Sequence, residues 1–428
     1  MKKIYLLGMA VFGLQSFSIA QTPCDAGRYS TELFPNVTVS TGINFGQSTD
    51  FIGNNTVLDL DIYEPTGDTE TARPLIIWAH GGSFIGGSRT DSDVVTLATA
   101  FAKKGFVCAS IDYRVGMWPI DSVNAVKAVV RSVQDMKAAV RFFYKDRATA
   151  NTYKVDTNNI IIAGSSAGAI TALQYAYLDK NCEAEYYIPA ADLTALGGIE
   201  GTSGNPGYSS DVHAAVSLAG ALASYGWLEA GDIPFCSMHG NVDDVVPYNR
   251  GAASVSGFNV ITMDGSRMLY EQANAVGVQN NFYSYFGAGH IPFLTSAAYM
   301  DTTINFVADF LVDFLGCTEP IVLTANTPNE SANLYQLSYC GLGLNSINNE
   351  FIDRIYPNPS NNEITVEFNR NTSIQRIELL DLYGRLLNTY DSTTPQLILR
   401  KDKLGAGTYI LRITNENGIS STKKVIFN

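Results

Sequence analysis

Residues 160–173 read IIIAGSSAGAITAL and place a serine between a strand and a helix. The apolar run 160–163 is typical of a strand buried on both faces of a sheet. Helix-forming residues begin at Ala169, and the segment between is Gly164-Ser165-Ser166-Ala167-Gly168. A serine at such a sharp turn presents its hydroxyl at the carboxyl edge of the sheet, and small flanking residues let the backbone bend. The sequence therefore predicts Ser166 as a nucleophile.

Around this turn, from about residue 55 to 316, short apolar strand patterns alternate with longer helical patterns. This alternation predicts a mostly parallel sheet flanked by helices, the α/β class. Residues 180–211 interrupt the alternation and form either a cap over a site or an irregular surface excursion. The predicted strands are 57–63, 74–79, 106–112, 159–163, 212–218, 233–238 and 281–286, and the predicted helices are 92–104, 123–147, 167–179, 266–276 and 297–315.

A second domain is predicted at the C-terminus. Residues 317–350 are rich in Asn, Ser, Thr and Pro, as a linker would be, and from residue 351 short alternating strands are separated by turn residues. This pattern is typical of a small antiparallel sandwich. Residues 351–428 hold ten Lys or Arg and eight Asp or Glu, a net +2. The whole chain carries −13, so residues 1–350 carry −15.

The N-terminus has the pattern of a secretory signal peptide over residues 1–20. Lys2 and Lys3 precede an apolar run from Ile4 to Leu14, and small residues stand at Ser18 and Ala20. A short apolar core of this kind is cleaved rather than retained as a membrane span, and the alternative is a first buried helix. Residues 21–316 would then form the catalytic domain, and the mature chain would act outside the cytoplasm.

Composition excludes several classes of protein. A net charge of −13 argues against a nucleic-acid binder, because such proteins neutralise phosphates with Lys and Arg. After residue 21 no stretch approaches the roughly 18 apolar residues that span a bilayer. With 11% aromatic and 46% hydrophobic residues, the chain is also not of disordered type. A soluble, acidic, multi-domain protein remains.

The six cysteines fall into two groups. Cys108 and Cys236 lie in predicted central strands, where cysteine acts as a small apolar residue. The remaining four lie in polar, turn-rich sequence and could pair in three ways, among which the sequence does not choose. These four are Cys24, Cys182, Cys317 and Cys340.

Glycines after the strand 74–79 suggest an oxyanion hole, which needs backbone N–H groups close to the developing charge. His80-Gly81-Gly82-Ser83-Phe84 follows that strand directly. The predicted donors are Gly82 and Ser83, together with Ala167, the residue after the nucleophile. The alternative is an ordinary glycine-rich turn.

A serine nucleophile needs a base, and the chain has four histidines. His290 stands in a glycine loop after the last strand and is the best-placed general base, whereas His80, His213 and His239 suit structural positions. The acid should come between serine and histidine in the chain, after an earlier strand. Asp243 fits this place and is favoured over Asp244, and turn capping is the alternative role for both.

Residues 55–316 resemble the α/β-hydrolase superfamily, specifically esterases with an HGG oxyanion loop. The motifs in order are HGGSF at 80–84, SIDYR at 110–114, QDMKAAVRF at 134–142, GSSAG at 164–168, HGxxDxxVP at 239–247 and GAGH at 287–290. The resemblance implies hydrolysis of carboxylic esters through an acyl-enzyme, without a metal or organic cofactor. Ser83 and Ser165 depart from the residues that many relatives carry at these positions.

Residues 351–428 resemble the C-terminal sorting domain of type IX secretion. The motifs are IYPNPS at 355–360, DLYGR at 381–385, LGAGTY at 404–409 and KKVI at 423–426. The resemblance implies a secreted or cell-surface protein that passes through the periplasm and contacts the type IX machinery. A carbohydrate-binding or adhesive sandwich is the alternative.

The ester itself is open at this stage: hydroxycinnamoyl or acetyl esters, lipids and polyesters all fit. Aromatic residues in loops after strands could line an apolar acyl pocket or simply pack in the core; they are Phe84, Trp118, Tyr225, Trp227 and Phe293. Two other functions compete with the esterase. A prolyl-oligopeptidase-like peptidase shares the order of catalytic residues, although the residues before 55 are too few for a propeller domain. A non-catalytic surface adhesin would need a broken catalytic set.

Overall fold

A computed structural model describes residues 24, 27–317, 325–328, 332, 334, 352–368, 374–381, 385–390, 396–401, 404–415 and 420–428. The chain forms two compact units, residues 1–339 and 340–428, and each is described by itself. This division falls within the predicted linker, most of which lies outside the described residues, as does the predicted signal peptide. The predicted domain boundaries therefore stay predictions.

The first unit is built on an eight-stranded sheet of order β1-β2-β4-β3-β5-β6-β8-β11. Six neighbouring strands of the sheet run parallel, namely β4, β3, β5, β6, β8 and β11, and β1 and β2 add an antiparallel edge. This arrangement confirms the predicted α/β class. The strands of the unit are β1 (Val37–Thr49), β2 (Asn55–Pro65), β3 (Arg73–Ala79), β4 (Val107–Ile111), β5 (Val155–Ser165), β6 (Ala214–Leu218), β7 (Ala221–Leu222), β8 (Phe235–Gly240), β9 (Arg250–Val255), β10 (Phe258–Gly265) and β11 (Asn280–Tyr285).

Helices cover both faces of this sheet. Along β3, Leu75 and Ile77 pack into one hydrophobic core with residues of α2, α3 and α6, whereas Ile76 and Trp78 pack into a second core with α1 and α7. The alternation follows from the two-residue period of a strand and explains why β3 is apolar throughout. The helices are α1 (Ser92–Lys103), α2 (Ser122–Ala148), α3 (Ala167–Tyr177), α4 (Asn181–Glu185), α5 (Ala190–Ala195), α6 (Ser266–Val276) and α7 (Ala297–Phe314).

Two parts of the unit were not predicted from the sequence. The first is the edge strand β1, which pairs along most of β2. The second is the hairpin β9–β10, which follows β8 and precedes α6 in the chain. The hairpin was missed because small residues such as Ala252 and Ala253 weaken its alternation. Its turn at Ser256 and Gly257 has positive φ at both residues, as tight hairpin turns require.

The insert 180–211 begins with α4 and α5, and its second half is held against α2. Gln134 Nε2 donates to the carbonyls of Leu196, at 2.8 Å, and Gly198, at 2.6 Å. Ser203 Oγ donates to Asp135 Oδ1 at 2.6 Å, and the same carboxylate forms a buried ion pair with Arg114. The insert is thus anchored by polar contacts to the body of the unit.

A disulfide joins Cys24 to Cys317, and their Cα atoms are 5.6 Å apart. Cys182 is also disulfide-bonded, and Cys340 lies outside the described residues. Cys108 and Cys236 are buried free thiols, as predicted from their strands. Over the part of the chain that the structure describes, no helix has the length and hydropathy to cross a membrane.

The second unit contains two antiparallel sheets of order β12-β13-β16 and β15-β14-β17-β18. Ile364, Val366, Leu379, Leu411 and Val425 are among the fully buried residues of its core. This confirms the antiparallel sheets predicted for this part of the chain. The strands are β12 (Ile352–Tyr356), β13 (Glu363–Phe368), β14 (Ile374–Leu380), β15 (Leu386–Tyr390), β16 (Gln396–Arg400), β17 (Gly407–Asn415) and β18 (Ser420–Phe427).

Candidate active site

Ser166 occupies the sharp turn between β5 and α3. Its φ of 53° lies in the left-handed region that non-glycine residues rarely adopt, and its N–H donates to Leu218 O at 2.8 Å. The turn needs Gly168, because a Cβ there would lie 2.0 Å from Ala79 O on the neighbouring strand. Close packing of α3 on β3 therefore fixes the serine at the carboxyl edge of the sheet.

His290 reaches the serine from the loop that follows β11. Its Nε2 lies 2.8 Å from Ser166 Oγ. Gly240, at the end of β8, lets this loop approach the loop that carries the acid, because a Cβ at Gly240 would lie 2.1 Å from Gly289 O. The two loops come together although they are separated by about fifty residues in the chain.

Asp243 lies on the far side of the histidine ring. Its Oδ2 is 2.7 Å from His290 Nδ1, and its Oδ1 accepts from the N–H groups of Val245 and Val246, each at 2.9 Å. The Asp243 side chain is fully buried, which by itself would raise its pKa, but hydrogen bonds from His239 and His290 hold that pKa well below the usual range. Asp244, the rival candidate, is exposed.

A second histidine contacts the same carboxylate, although the sequence suggested only a structural position for it. His239 is completely buried at the end of β8, with its Nε2 3.1 Å from both Asp243 Oδ2 and Val246 O. Because both neighbours of Nε2 are acceptors, Nε2 carries the proton and Nδ1 accepts from Ser266 Oγ at 2.9 Å. The i,i+4 spacing of His239 and Asp243 was the available signal.

Ser83 and Ala167, two of the three predicted oxyanion donors, line the same cavity as Ser166. Gly82 and Ser83 have φ values of 111° and 55°, so the loop after β3 is folded tightly beside the elbow. The N–H of Gly81 is engaged with Asp93 Oδ2 at 3.0 Å and so is not available to an oxyanion. Ala167 is the first residue of α3, where backbone N–H groups have no partner within the helix.

The remaining two histidines lie away from the serine's hydroxyl. His80 is buried, stacks on Tyr113 with ring centroids 4.2 Å apart, and its Nδ1 lies 2.6 Å from Gly81 O. Burial lowers the pKa of His80, so its ring is neutral and supports the loop. His213 Nδ1 accepts from Ile160 N at the opposite edge of the sheet.

A small apolar cavity of about 40 Å³ opens beside Ser166, between the oxyanion loop and the hairpin β9–β10. A second cavity of the same size lies behind it. Of the predicted pocket aromatics, Phe84 lines the first cavity and Trp227 the second. Tyr225 and Phe293 are buried and line neither, and Trp118 is 76% exposed. Phe84 and Trp227 therefore line these cavities, whereas Tyr225 and Phe293 fit the alternative of core packing.

No cluster of three or more His, Cys, Asp or Glu side chains among the described residues is arranged to hold a metal ion. The site's polar groups are instead a hydroxyl, an imidazole and a carboxylate in one line, with backbone N–H groups beside them. Such a line can move a proton from the hydroxyl to the imidazole and hold the resulting positive charge.

Two family models match the chain. Residues 60–203 match the model described as BD-FAE, and residues 354–428 match the secretion system C-terminal sorting domain. The chain therefore contains a BD-FAE domain, within a unit of the α/β-hydrolase fold, and a C-terminal sorting domain. The sorting domain is of the type IX kind and marks the chain as a secreted or cell-surface protein.

Curated relatives match part of the chain. The chain is 27% identical over 148 residues to Esterase LipC of Mycobacterium tuberculosis, covering 34% of this chain and 33% of that protein. It is 34% identical over 115 residues to Carboxylesterase 3B of Mus musculus, covering 26% of this chain and 19% of that protein. The chain thus spans a third or less of the length of these relatives.

Solved structures also resemble the chain. Esterase 2 of Thermogutta terrifontis, in a form phosphorylated by paraoxon, is 21% identical with a TM-score of 0.49, and the match covers 67% of this chain and 97% of that one. The propionate-bound form of the same esterase is 22% identical with a TM-score of 0.49, covering 68% of this chain and 99% of that one.

Proposed function

We propose that the hydrolase is an exported serine carboxylesterase that acts through an acyl-enzyme. The observation that carries the proposal is the line of hydrogen bonds from Ser166 Oγ to His290 Nε2, at 2.8 Å, and from His290 Nδ1 to Asp243 Oδ2, at 2.7 Å. This is the geometry in which a weak nucleophile is activated by a general base that a carboxylate orients. The names of the relatives LipC and Carboxylesterase 3B support the same class of reaction.

In the proposed mechanism Ser166 Oγ attacks the ester carbonyl while His290 Nε2 takes the hydroxyl proton. The negative charge on the carbonyl oxygen is stabilised by the N–H groups of Gly82, Ser83 and Ala167. His290 then gives the proton to the departing alcohol, which leaves an acyl group on Ser166. Water, deprotonated by His290, attacks this acyl group; the bond to Ser166 Oγ then breaks, His290 returns the proton to Oγ, and the carboxylic acid leaves.

Asp243 has a supporting role in this mechanism. It keeps the His290 ring in the tautomer with Nδ1 protonated and stabilises the imidazolium that forms in each half-reaction. Two backbone N–H groups and His239 hold the carboxylate itself. Because the pKa of Asp243 is lowered, its carboxylate stays charged at neutral pH.

Comparing ester and amide turnover tests the proposal. We expect wild-type protein to release p-nitrophenol from a short acyl ester and to leave a peptide p-nitroanilide uncut, with ester turnover lost in Ser166→Ala. Preferred cleavage of the anilide would make the chain a peptidase. Absence of both activities in folded wild-type protein would favour a binding protein such as an adhesin.

A further inference from the structure

The cavity beside Ser166 is placed to take the acyl part of an ester. It is lined by Ser83 and Ala167, which carry predicted oxyanion donors, and by the nucleophile itself. His290, which must face the leaving alcohol, is not among the lining residues. An ester bound with its alcohol toward His290 and its carbonyl oxygen toward the donors therefore directs its acyl chain into this cavity.

The size of the cavity limits that chain. The cavity is small: about 40 Å³ is open to the centres of water-sized groups, so it limits the acyl group to a short chain. The lining is apolar apart from serine hydroxyls and includes Val245 and Val246 from the acid loop. An acyl chain with up to about three carbons beyond the carbonyl fits, and a longer or aromatic one meets the cavity wall.

Three residues form the wall at the end of the cavity. Val129 of α2 and Ile261 and Met263 of β10 line both this cavity and the second one behind it. Ile261 and Met263 are two residues apart and so lie on the same face of their strand. The strand is held in place by its pairing with β9 and by the ion pair between Arg250 and Asp264 at 2.8 Å.

Behind the wall, the second cavity is also about 40 Å³ and apolar, with Ala223 and Trp227 among its lining residues. Removing side-chain atoms from the wall would join two spaces that the native enzyme keeps apart. A joined space would accept a chain that extends past β10 toward the insert.

We propose that the enzyme is a short-acyl esterase and that Val129, Ile261 and Met263 set its chain-length limit by closing the acyl cavity. This inference rests on the esterase function proposed above and adds the class of substrate: carboxylic esters of two- to four-carbon acids. The hairpin β9–β10 is thus the specificity element of the hydrolase.

The test is a series of p-nitrophenyl acetate, butyrate, hexanoate and octanoate with wild-type full-length protein and Met263→Ala. We expect kcat/KM of wild type to be highest for acetate or butyrate and to fall from hexanoate onward. In Met263→Ala the ratio of hexanoate to acetate should rise by about tenfold or more, because each methylene buried in an apolar site gains several-fold in kcat/KM. Ile261→Val removes less of the wall and should shift the ratio in the same direction.

Two controls make the assignment specific. Met268→Ala deletes the same atoms from a buried position on α6 that lines neither cavity, so it should keep the wild-type ratio. Ala223→Leu fills the second cavity, so it should leave the ratio of wild type unchanged and reverse the gain of Met263→Ala.

Each outcome has a defined meaning. A wild type that prefers hexanoate or octanoate, or a folded Met263→Ala protein whose ratio stays at the wild-type value, overturns the chain-length proposal while the esterase function stands. A folded wild type that hydrolyses none of the four esters overturns the esterase function and this proposal with it.

Discussion

Asp243 and His239 are joined by a hydrogen bond of 3.1 Å that ends on Oδ2, the same carboxylate oxygen that lies 2.7 Å from His290. His239 is therefore a positioning residue: it contacts the acid and not the serine. Together with the N–H groups of Val245 and Val246, it fixes the rotation of the carboxylate toward His290.

Substitution of His239 tests this positioning role. His239→Gln can keep a donor near the place of Nε2 and should retain turnover within about tenfold of wild type. His239→Leu removes the donor and frees the carboxylate to turn, so kcat should fall by about a hundredfold, as for other small displacements of catalytic groups. Ester hydrolysis and thermal melting are measured for both. Equal losses in the two variants, at equal stability, would contradict the role of the hydrogen bond.

The neighbouring carboxylates Asp243 and Asp244 provide a matched pair of variants. Asp243→Asn keeps the shape of the side chain but favours the wrong histidine tautomer, so kcat should fall by up to about 10⁴-fold. Asp244→Asn changes an exposed residue and should leave kcat within a few-fold of wild type. Steady-state ester hydrolysis at neutral pH compares the two. A larger loss in Asp244→Asn would show that the wrong acid has been assigned.

Glu183 in the insert predicts a pH dependence of stability. Burial raises the pKa of Glu183 to about 7, against backbone hydrogen bonds that lower it. A folded-state pKa above the ordinary 4.5 means that the folded chain binds the proton more tightly. The resulting stability is fully present below about pH 4.5 and is lost as the pH rises through 7.

Thermal melting between pH 5 and pH 8 measures this effect. The melting temperature of wild type should fall over this range by a few degrees more than that of Glu183→Gln, which cannot ionise. Glu185→Gln, at an exposed position on the same helix, should follow the wild-type curve. Parallel curves for wild type and Glu183→Gln would contradict the assignment.

The sorting domain should be dispensable for chemistry. Residues 351–428 contribute none of the proposed catalytic groups, and the two compact units divide at residues 339 and 340. A chain ended at residue 350 should hydrolyse the same esters with unchanged kcat/KM but should remain in the periplasm of a host with type IX secretion. Cell fractionation and ester assays check both parts. A folded but inactive short chain would make the sorting domain part of the enzyme.

Mass spectrometry of the protein secreted by such a host adds a direct check of processing. Both the signal peptide and most of the sorting domain should be missing from the exported form. Recovery of secreted protein that still ends at Asn428 would contradict removal of the tail.

The sequence predicted the sheet and the elbow because both depend on local patterns. Apolar strands such as β3 and the glycines around Ser166 are visible in short windows of sequence. The hairpin β9–β10 was missed because its small residues alternate weakly, and the acyl cavity depends on it. Its closing wall could not be predicted, since Val129 and Met263 meet only in the folded chain.

Contacts between segments that are distant in the sequence also could not be predicted. Three disulfide pairings were open, and only the fold brings Cys24 and Cys317, 293 residues apart, to a Cα separation of 5.6 Å. His239 was set aside because its strand position suggested packing alone. The loop 240–246 turns back and puts Asp243 and Val246 O against its ring, and the i,i+4 spacing of His239 and Asp243 was the only signal of this in the sequence.

Trapping the covalent intermediate tests most directly whether Ser166 is the nucleophile. Wild-type protein is mixed with p-nitrophenyl butyrate, quenched in acid within the first turnovers and digested for peptide mass mapping. We expect a butyryl group on the peptide that contains Ser166, present in wild type and absent from Ser166→Ala. Ester turnover without any acylated peptide, or with the acyl group on another residue, would contradict the central claim that Ser166 is the nucleophile of an esterase.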